Sequence, residues 1–286
     1  MANLIGRMPS PSPSVSTGPT APPAGAGHRG TPALRFEVLD GGGVEAVVTT
    51  RHGGVSSGPY ESLNLALHVG DQVEAVLENR RRAAALVSAE VDQLVVAEQV
   101  HGAAVALVGA ADAGRGAKAA TDAVAGADAL VTADPGPVLA VLVADCAPVI
   151  LLDPAARVLG CVHAGWRGTV GGVLEATLGA MRSLGARPER TVAGIGPTVA
   201  ADRYEVGPEV VAAVQAHLGS AEPWCRPGRA DRAWFDLAGA VAACLRRAGV
   251  STIEAAPAST GPPGPFYSVR AEGTCGRFGL LARLRP

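Results

Sequence analysis

The chain has 286 residues, 48% of them hydrophobic and 17% charged, with a formal net charge of -2. That balance supplies an ample core and excludes the basic surface that nucleic-acid binding needs. No apolar run reaches the ~20 residues of a membrane-spanning helix.

In chain order, residues 1–32 are mostly Pro, Ser, Gly, Ala and Thr and bury little, which predicts a disordered N-terminal tail. The remainder, 33–286, reads as a single catalytic domain. "ALRFEVLD", the turn Gly41–Gly43 and "VEAVVTT" form a hairpin signal. "VEAVLENRRRAAALVSA" has helical periodicity, with charges on one side and Val76, Leu77, Ala84 and Leu86 turned to a core. "LVVAEQV" and "AVALVG" are short strands flanking His101, and the Ala/Gly-rich stretch 110–127 reads as a mobile loop.

"ADALVT", "VLAVLVAD", "PVILLD" and "RVLGCVHA" then follow as closely spaced strands. Helices are expected at "TVGGVLEATLGAMRSLG", "GPEVVAAVQAHLG" and "DLAGAVAACLRRAG", each closed by a glycine suited to a left-handed cap. Clustered strands with late helices predict an α+β, layered α/β fold.

Five cysteines, Cys146, Cys161, Cys225, Cys244 and Cys275, contain no CxxC pair, and the first residues lack an apolar leader. Reduced thiols in a cytoplasmic protein are the expectation.

His101 in "EQVHG", Cys146 in "ADCAP" and His163 in "HAGWRG" lie at predicted strand ends beside Gly or Pro. Two imidazoles and a thiolate suit zinc, and three protein ligands leave a position open for water or substrate. Spacing alone does not assemble them. Singly, each histidine fits a hydrogen-bonded core or loop residue, and Cys146 fits a small buried hydrophobe. Cys161, two residues before His163 and on the same strand face, competes with Cys146 for the sulfur position. The turn setting beside Asp145 favours Cys146 as the thiolate.

Arg167 precedes the helix expected from Thr169, and Arg51 follows a strand and opens a Gly/Ser-rich loop. Both are candidates to bind phosphate or a carboxylate. Asp145 is a candidate catalytic residue that orients a ligand or shuttles a proton, with a turn cap as the alternative. GxxxxGK[ST] does not occur, and GxGxxG occurs only at residues 25–30, in the Pro/Ala-rich tail with no strand signal before it, so ATP and dinucleotides lose support.

"TTRHGGVS", "SLNL", "EQVHG", "ADALVT", "ADCAPVILLDP", "CVHAGWRG", "GIGP" and "FYSVRAEGTCGRFGL" together resemble, from about residue 35 onward, a known family. It was once described as laccase-like polyphenol oxidases and is now associated with purine nucleoside phosphorylase activity and peptidoglycan editing. The resemblance implies a zinc site at His101, Cys146 and His163, which decides between the two cysteines. It also implies a single-domain fold with β-sheets packed between helices. The implied activities are phosphorolysis of adenosine, inosine, guanosine and methylthioadenosine, with adenosine deaminase activity. The partners would be a small-molecule nucleoside and phosphate, with no nucleic acid and no membrane. Ser259-Thr260 stands where relatives often carry Cys-Thr.

Other chemistries use the same residues. Cys146 as nucleophile with His163 as base would make a Cys–His hydrolase editing peptidoglycan precursors. A closed, non-catalytic metal site would need a fourth ligand that the sequence does not offer. A multicopper centre needs roughly ten histidines, and the chain has 6, without an HxH pair. Copper is therefore expected only as an adventitious occupant of the zinc site.

Overall fold

The computed structural model describes residues 31–286, so the tail expected over 1–32 falls, through residue 30, outside the described residues. The strands in chain order are β1 (Ala33–Leu34), β2 (Val44–Thr49), β3 (Leu94–Val96), β4 (Val105–Leu107), β5 (Ala129–Thr132), β6 (Val138–Val143) and β7 (Ala147–Asp153). They continue as β8 (Val158–Ala164), β9 (Val192–Ile195), β10 (Glu205–Val206), β11 (Cys225–Pro227), β12 (Ala233–Phe235), β13 (Thr252–Ala255) and β14 (Phe278–Leu284). The helices are α1 (Val73–Ala85), α2 (Trp166–Val170), α3 (Val173–Ser183), α4 (Pro208–Leu218), α5 (Leu237–Arg247) and α6 (Val269–Glu272).

Side-chain alternation along the strands sets the layers. One sheet has the order β1-β2-β14-β6-β3 and the other β13-β9-β7-β8-β5-β4. Leu139, Val141, Phe278 and Leu280 of the first sheet meet Ile150, Leu152, Leu159 and Cys161 of the second in a shared core. The opposite face of the first sheet, with Val138 and Leu142, packs on Ala83 and Ala84 of α1. The opposite face of the second, with Val149, Leu151 and Val162, packs on Leu174 and Met181 of α3 and Val241 and Leu245 of α5. The result is helix, sheet, sheet, helices: the single-domain layered fold expected from the sequence. A small sheet, β10-β12-β11, lies apart from the two large ones. Among the described residues, no helix is long and apolar enough to cross a membrane.

Several local expectations change. The expected first hairpin strand shrinks to β1, because Glu37–Leu39 winds into a 3-10 turn that drops Phe36 and Leu39 into the core. The stretch 110–127 carries two 3-10 turns, and Arg80 donates to the carbonyls of Gly116 and Ala117 within it. Helix α1 buries Val76 and Ala84 as expected but also Asn79, Arg80 and Ala83, while Leu77 and Leu86 stay half-buried. The helix expected from Thr169 begins instead at Trp166 and is cut in two at Gly172, whose φ of 84° no ordinary helix residue adopts.

Asp153, at the end of β7, is fully buried. It accepts from the backbone N–H of Ala155, Ala156 and Arg187 and from the Arg190 guanidinium. Burial pushes its carboxyl up, but these donors outweigh burial and hold it below the ordinary carboxylate value. Its stabilisation is therefore present above that ordinary value and is lost as pH falls through the lower folded-state value. Asp153→Ala is expected to cost roughly 2–3 kcal/mol of unfolding free energy, because it strands several buried donors at once. Chemical denaturation of the variant at neutral pH, and of the wild type down an acid series, measures both effects.

Candidate metal centre

The β7–β8 pairing creates the site. Pro148 lies opposite His163 and Ala147 opposite Ala164, so Cys146, just before β7, falls beside Gly165, just after β8. A Cβ on Gly165 would sit 3.0 Å from Cys146 Sγ and 3.2 Å from His101 Cδ2, so any larger residue there would crowd both side chains. His101 reaches the same point from the loop after β3, with φ of 61°. One nitrogen of His101, Sγ of Cys146 and one nitrogen of His163 all lie within 4.8 Å of one another. The two imidazoles meet edge to face, with centroids 4.7 Å apart.

Asp128 organises both histidines. It is buried immediately before β5, and its Oδ1 receives the Nδ1–H of His163 at 2.8 Å. The same carboxylate accepts from the backbone N–H of His101 at 2.9 Å and of Gly102 at 2.6 Å. A carboxylate acceptor at Nδ1 fixes a proton there and leaves Nε2 of His163 facing Cys146. Burial pushes the Asp128 carboxyl up, but the His163 and backbone hydrogen bonds bring it below the ordinary value.

The cysteines separate cleanly. Burial raises the Cys146 thiol, but hydrogen bonds from His101 and His163 overcome it and bring it down to about 7. His163 moves the other way: burial lowers it, and the hydrogen bonds to Asp128 and Cys146 raise it more. Cys161 shares the strand face with His163 but lies in the core between the sheets, where burial drives its thiol far up. Metal-stripped protein treated briefly with iodoacetamide at neutral pH is therefore expected to carry the label at Cys146 and none at Cys161. Peptide mass mapping reads this directly, and labelling of Cys161 first would reverse the assignment.

The three residues open onto a cavity of about 930 Å³. Its walls include four arginines, Arg80, Arg167, Arg270 and Arg277, together with His68, Glu98, Asp145, Trp166 and Tyr204. Arg167, in α2, stacks on the Trp166 ring at 4.4 Å. Among the described residues it has no carboxylate partner. Arg80 is 4% exposed, spends its hydrogen bonds on the carbonyls of Leu65, Gly116 and Ala117, and has no ion pair among the described residues. Burial lowers it to about 10 against the opposing charge of Asp122, so it remains a cation. Burial, then Arg277 and Arg80, also lower His68 and keep it neutral near pH 7. A cavity with this surplus of cations favours an anionic ligand.

Two expected roles change. Arg51 does not line the cavity: it pairs with Glu272 at 2.7 Å and stacks on the Tyr267 ring, so it braces α6. Asp145 does line the cavity, with φ of 90°, but its carboxylate is already engaged. Oδ1 accepts from Thr260 and Ser268, each at 2.6 Å, and Oδ2 from the Arg270 backbone N–H at 2.7 Å. It holds the start of α6 against the site. Thr260, in the departing Ser-Thr pair, is part of that clasp.

Residue-level signals for Asp128, Arg80, His68, Arg270 and Arg277 were weak. Asp128 opens an apolar strand, and Arg80 sits in a run of three arginines that reads as a solvated helix face. Arg270 and Arg277 lie within "FYSVRAEGTCGRFGL", a segment quoted for its resemblance but given no site role.

The family model described as multi-copper polyphenol oxidoreductase laccase matches residues 45–285. A purine nucleoside phosphorylase of Deinococcus radiodurans is 42% identical over 250 residues, covering 87% of this chain and 91% of the relative. One of Corynebacterium glutamicum is 38% identical over 234 residues, covering 82% of this chain and 92% of the relative. The crystal structure of YlmD from Geobacillus stearothermophilus superimposes with a TM-score of 0.85 at 35% identity, over 91% of this chain and 98% of that one. The metal-ligating cluster, its cation-lined cavity and these matches across nearly the whole described chain lead to one conclusion: the protein belongs to the laccase-like polyphenol oxidoreductase family, whose curated relatives here are named purine nucleoside phosphorylases.

Proposed function

We propose that the protein is a zinc-dependent purine nucleoside phosphorylase that also deaminates adenosine. The observation that carries the proposal is an open two-imidazole, one-thiolate donor set at the wall of a cavity lined by four arginines. His101, Cys146 and His163 would hold the ion. Borderline N and S donors fit zinc, Asp128 supplies the outer carboxylate that such a histidine ligand needs, and three ligands leave one position facing the cavity. Bound zinc supplies a Lewis acid and lowers the pKa of water near it, which serves attack at purine C6 as well as charge neutralisation.

The chain's own residues do the rest. Phosphorolysis breaks the bond between ribose C1′ and the purine nitrogen and forms a bond from C1′ to a phosphate oxygen. The departing base must take up a proton. Arg167, exposed to the cavity and already flattened on Trp166, presents a planar fork to phosphate. Arg270, Arg277 and buried Arg80 add positive potential, so phosphate enters a site where its charge is compensated. Tyr204, half-buried with Arg270 over its ring at 5.0 Å, offers an aromatic edge to the base. Adenosine, inosine, guanosine and methylthioadenosine share the purine and ribose that this cavity would accommodate.

Arg167→Ala is expected to raise the phosphate KM at least about tenfold with zinc content unchanged, the loss of one charge-assisted fork. Initial-rate assays at varied phosphate measure it, and an unchanged KM would remove Arg167 from the phosphate site.

A second reading rests on the Asp128–His163–Cys146 chain, which is also the arrangement of a thiol hydrolase acting on a cell-wall peptide precursor. A trapped acyl group on Cys146 would select it. Four-copper laccase chemistry has no place here. Each of the two metal-ligating groups among the described residues offers only three donors, and together they contain three histidines. Copper at the zinc site would be adventitious.

A further inference from the structure

A second group of metal-ligating side chains lies in the outer helical layer, away from the cavity. Glu175 of α3, His217 of α4 and Cys244 of α5 bring a carboxylate oxygen, an imidazole nitrogen and a sulfur within 4.8 Å of one another. None of the three lines the cavity of the first site. His217 Nε2 stands 3.2 Å from Glu175 Oε1, and Cys244 is fully buried beneath them.

One atom makes this cluster unusual. Among the described residues, Glu175 Oε2 is the single buried side-chain oxygen or nitrogen without a hydrogen-bond partner. Leaving such an atom unpaired costs about 1–3 kcal/mol, and native proteins ordinarily fill the gap with a water or an ion. The neighbouring cation does not fill it: Arg247 turns its Nη1 to the His217 carbonyl at 2.6 Å. Beside Oε2 lies Gly172, which has no side chain to cover that side of the carboxylate; an added Cβ would lie in van der Waals contact with Oε2 at 3.8 Å.

We infer that Glu175, His217 and Cys244 form a second divalent-metal site, for zinc or a similar borderline ion, that clamps α3, α4 and α5 together. The three donors are of three different chemical types, which suits zinc and cobalt and disfavours magnesium or calcium. Binding replaces the Cys244 S–H bond with a metal–sulfur bond and releases that proton to solvent. A fourth position would take water from the exposed side of Glu175. The role is structural, because a metal joining three helices binds the folded chain and not the unfolded one.

Cobalt(II) titration of the metal-stripped full-length protein tests this. The wild type is expected to saturate at two cobalt ions per chain and His217→Ala at one, with nucleoside phosphorolysis unchanged in that variant. Cys146→Ala is expected to retain one cobalt with a sulfur-to-cobalt charge-transfer band. That band is expected to vanish in Cys146→Ala/His217→Ala and in Cys146→Ala/Cys244→Ser. Added cobalt should also raise the melting temperature of Cys146→Ala but not that of Cys146→Ala/His217→Ala. Saturation of the wild type at one ion that is lost in Cys146→Ala, or a band in Cys146→Ala that survives His217→Ala, would overturn the second site. Either result leaves the reading of the first site intact, since that site answers to Cys146.

Discussion

Replacing Cys146 with alanine is expected to abolish zinc retention at the cavity and to lower kcat/KM for phosphorolysis by about 10³-fold or more. The size follows from what is removed: a Lewis acid is worth several kcal/mol of transition-state charge stabilisation, and about 4 kcal/mol is 10³-fold in rate. Cys146 is the sole sulfur in the set, and its two imidazole neighbours already draw the thiol toward thiolate. With it gone, His101 and His163 present two neutral donors and no anion. Fold should survive, because Cys146 is only half-buried at a turn whose geometry is held by Asp145 and Gly165. Circular dichroism, metal content and initial rates on one preparation separate these effects. Full activity in Cys146→Ala would remove both the metal and the thiol-nucleophile readings.

The second large effect is expected at Asp128, a positioning residue that touches no substrate. Asp128→Asn keeps the shape but replaces one acceptor oxygen with a donor, while His163 Nδ1–H and three backbone N–H groups of residues 100–102 all require acceptors. The imidazole loses its fixed tautomer and its orientation. The expected result is a 10–100-fold loss of zinc affinity by chelator competition, with a parallel fall in activity at limiting zinc. Asp128→Glu keeps the charge but not the reach and should recover part of the affinity. A merely structural aspartate would lower the melting temperature in both variants without moving zinc affinity.

The strands of the two-sheet core were legible because burial on both faces demands continuous apolar runs, and 138–143, 147–153 and 158–164 supply them. His101, Cys146 and His163 stood out as polar side chains at the ends of such runs, but singly each fitted an ordinary core or loop residue, and in the sequence only the family resemblance joined them. The β7–β8 register that brings Cys146 beside His163, and the loop that carries His101 to them, are not displayed by a sequence without its fold. Asp128 escaped notice because an acidic residue opening a strand looks like a turn. Arg80 escaped because a buried arginine is paid for by carbonyls from distant loops, Leu65 and Gly116 among them. Arg51 drew attention for the opposite reason: its glycine-rich loop resembles an anion cradle, and only the fold shows its guanidinium engaged by Glu272 and Tyr267. The break at Gly172 was likewise masked by apolar periodicity running through it.

The most direct measurement is product identification with zinc-loaded protein, inosine and phosphate. The expected result is hypoxanthine and ribose 1-phosphate in equal amounts, with base release that disappears when phosphate is withheld. Free ribose as the product, or no base release from wild-type protein carrying zinc at His101, Cys146 and His163, would contradict the phosphorylase assignment.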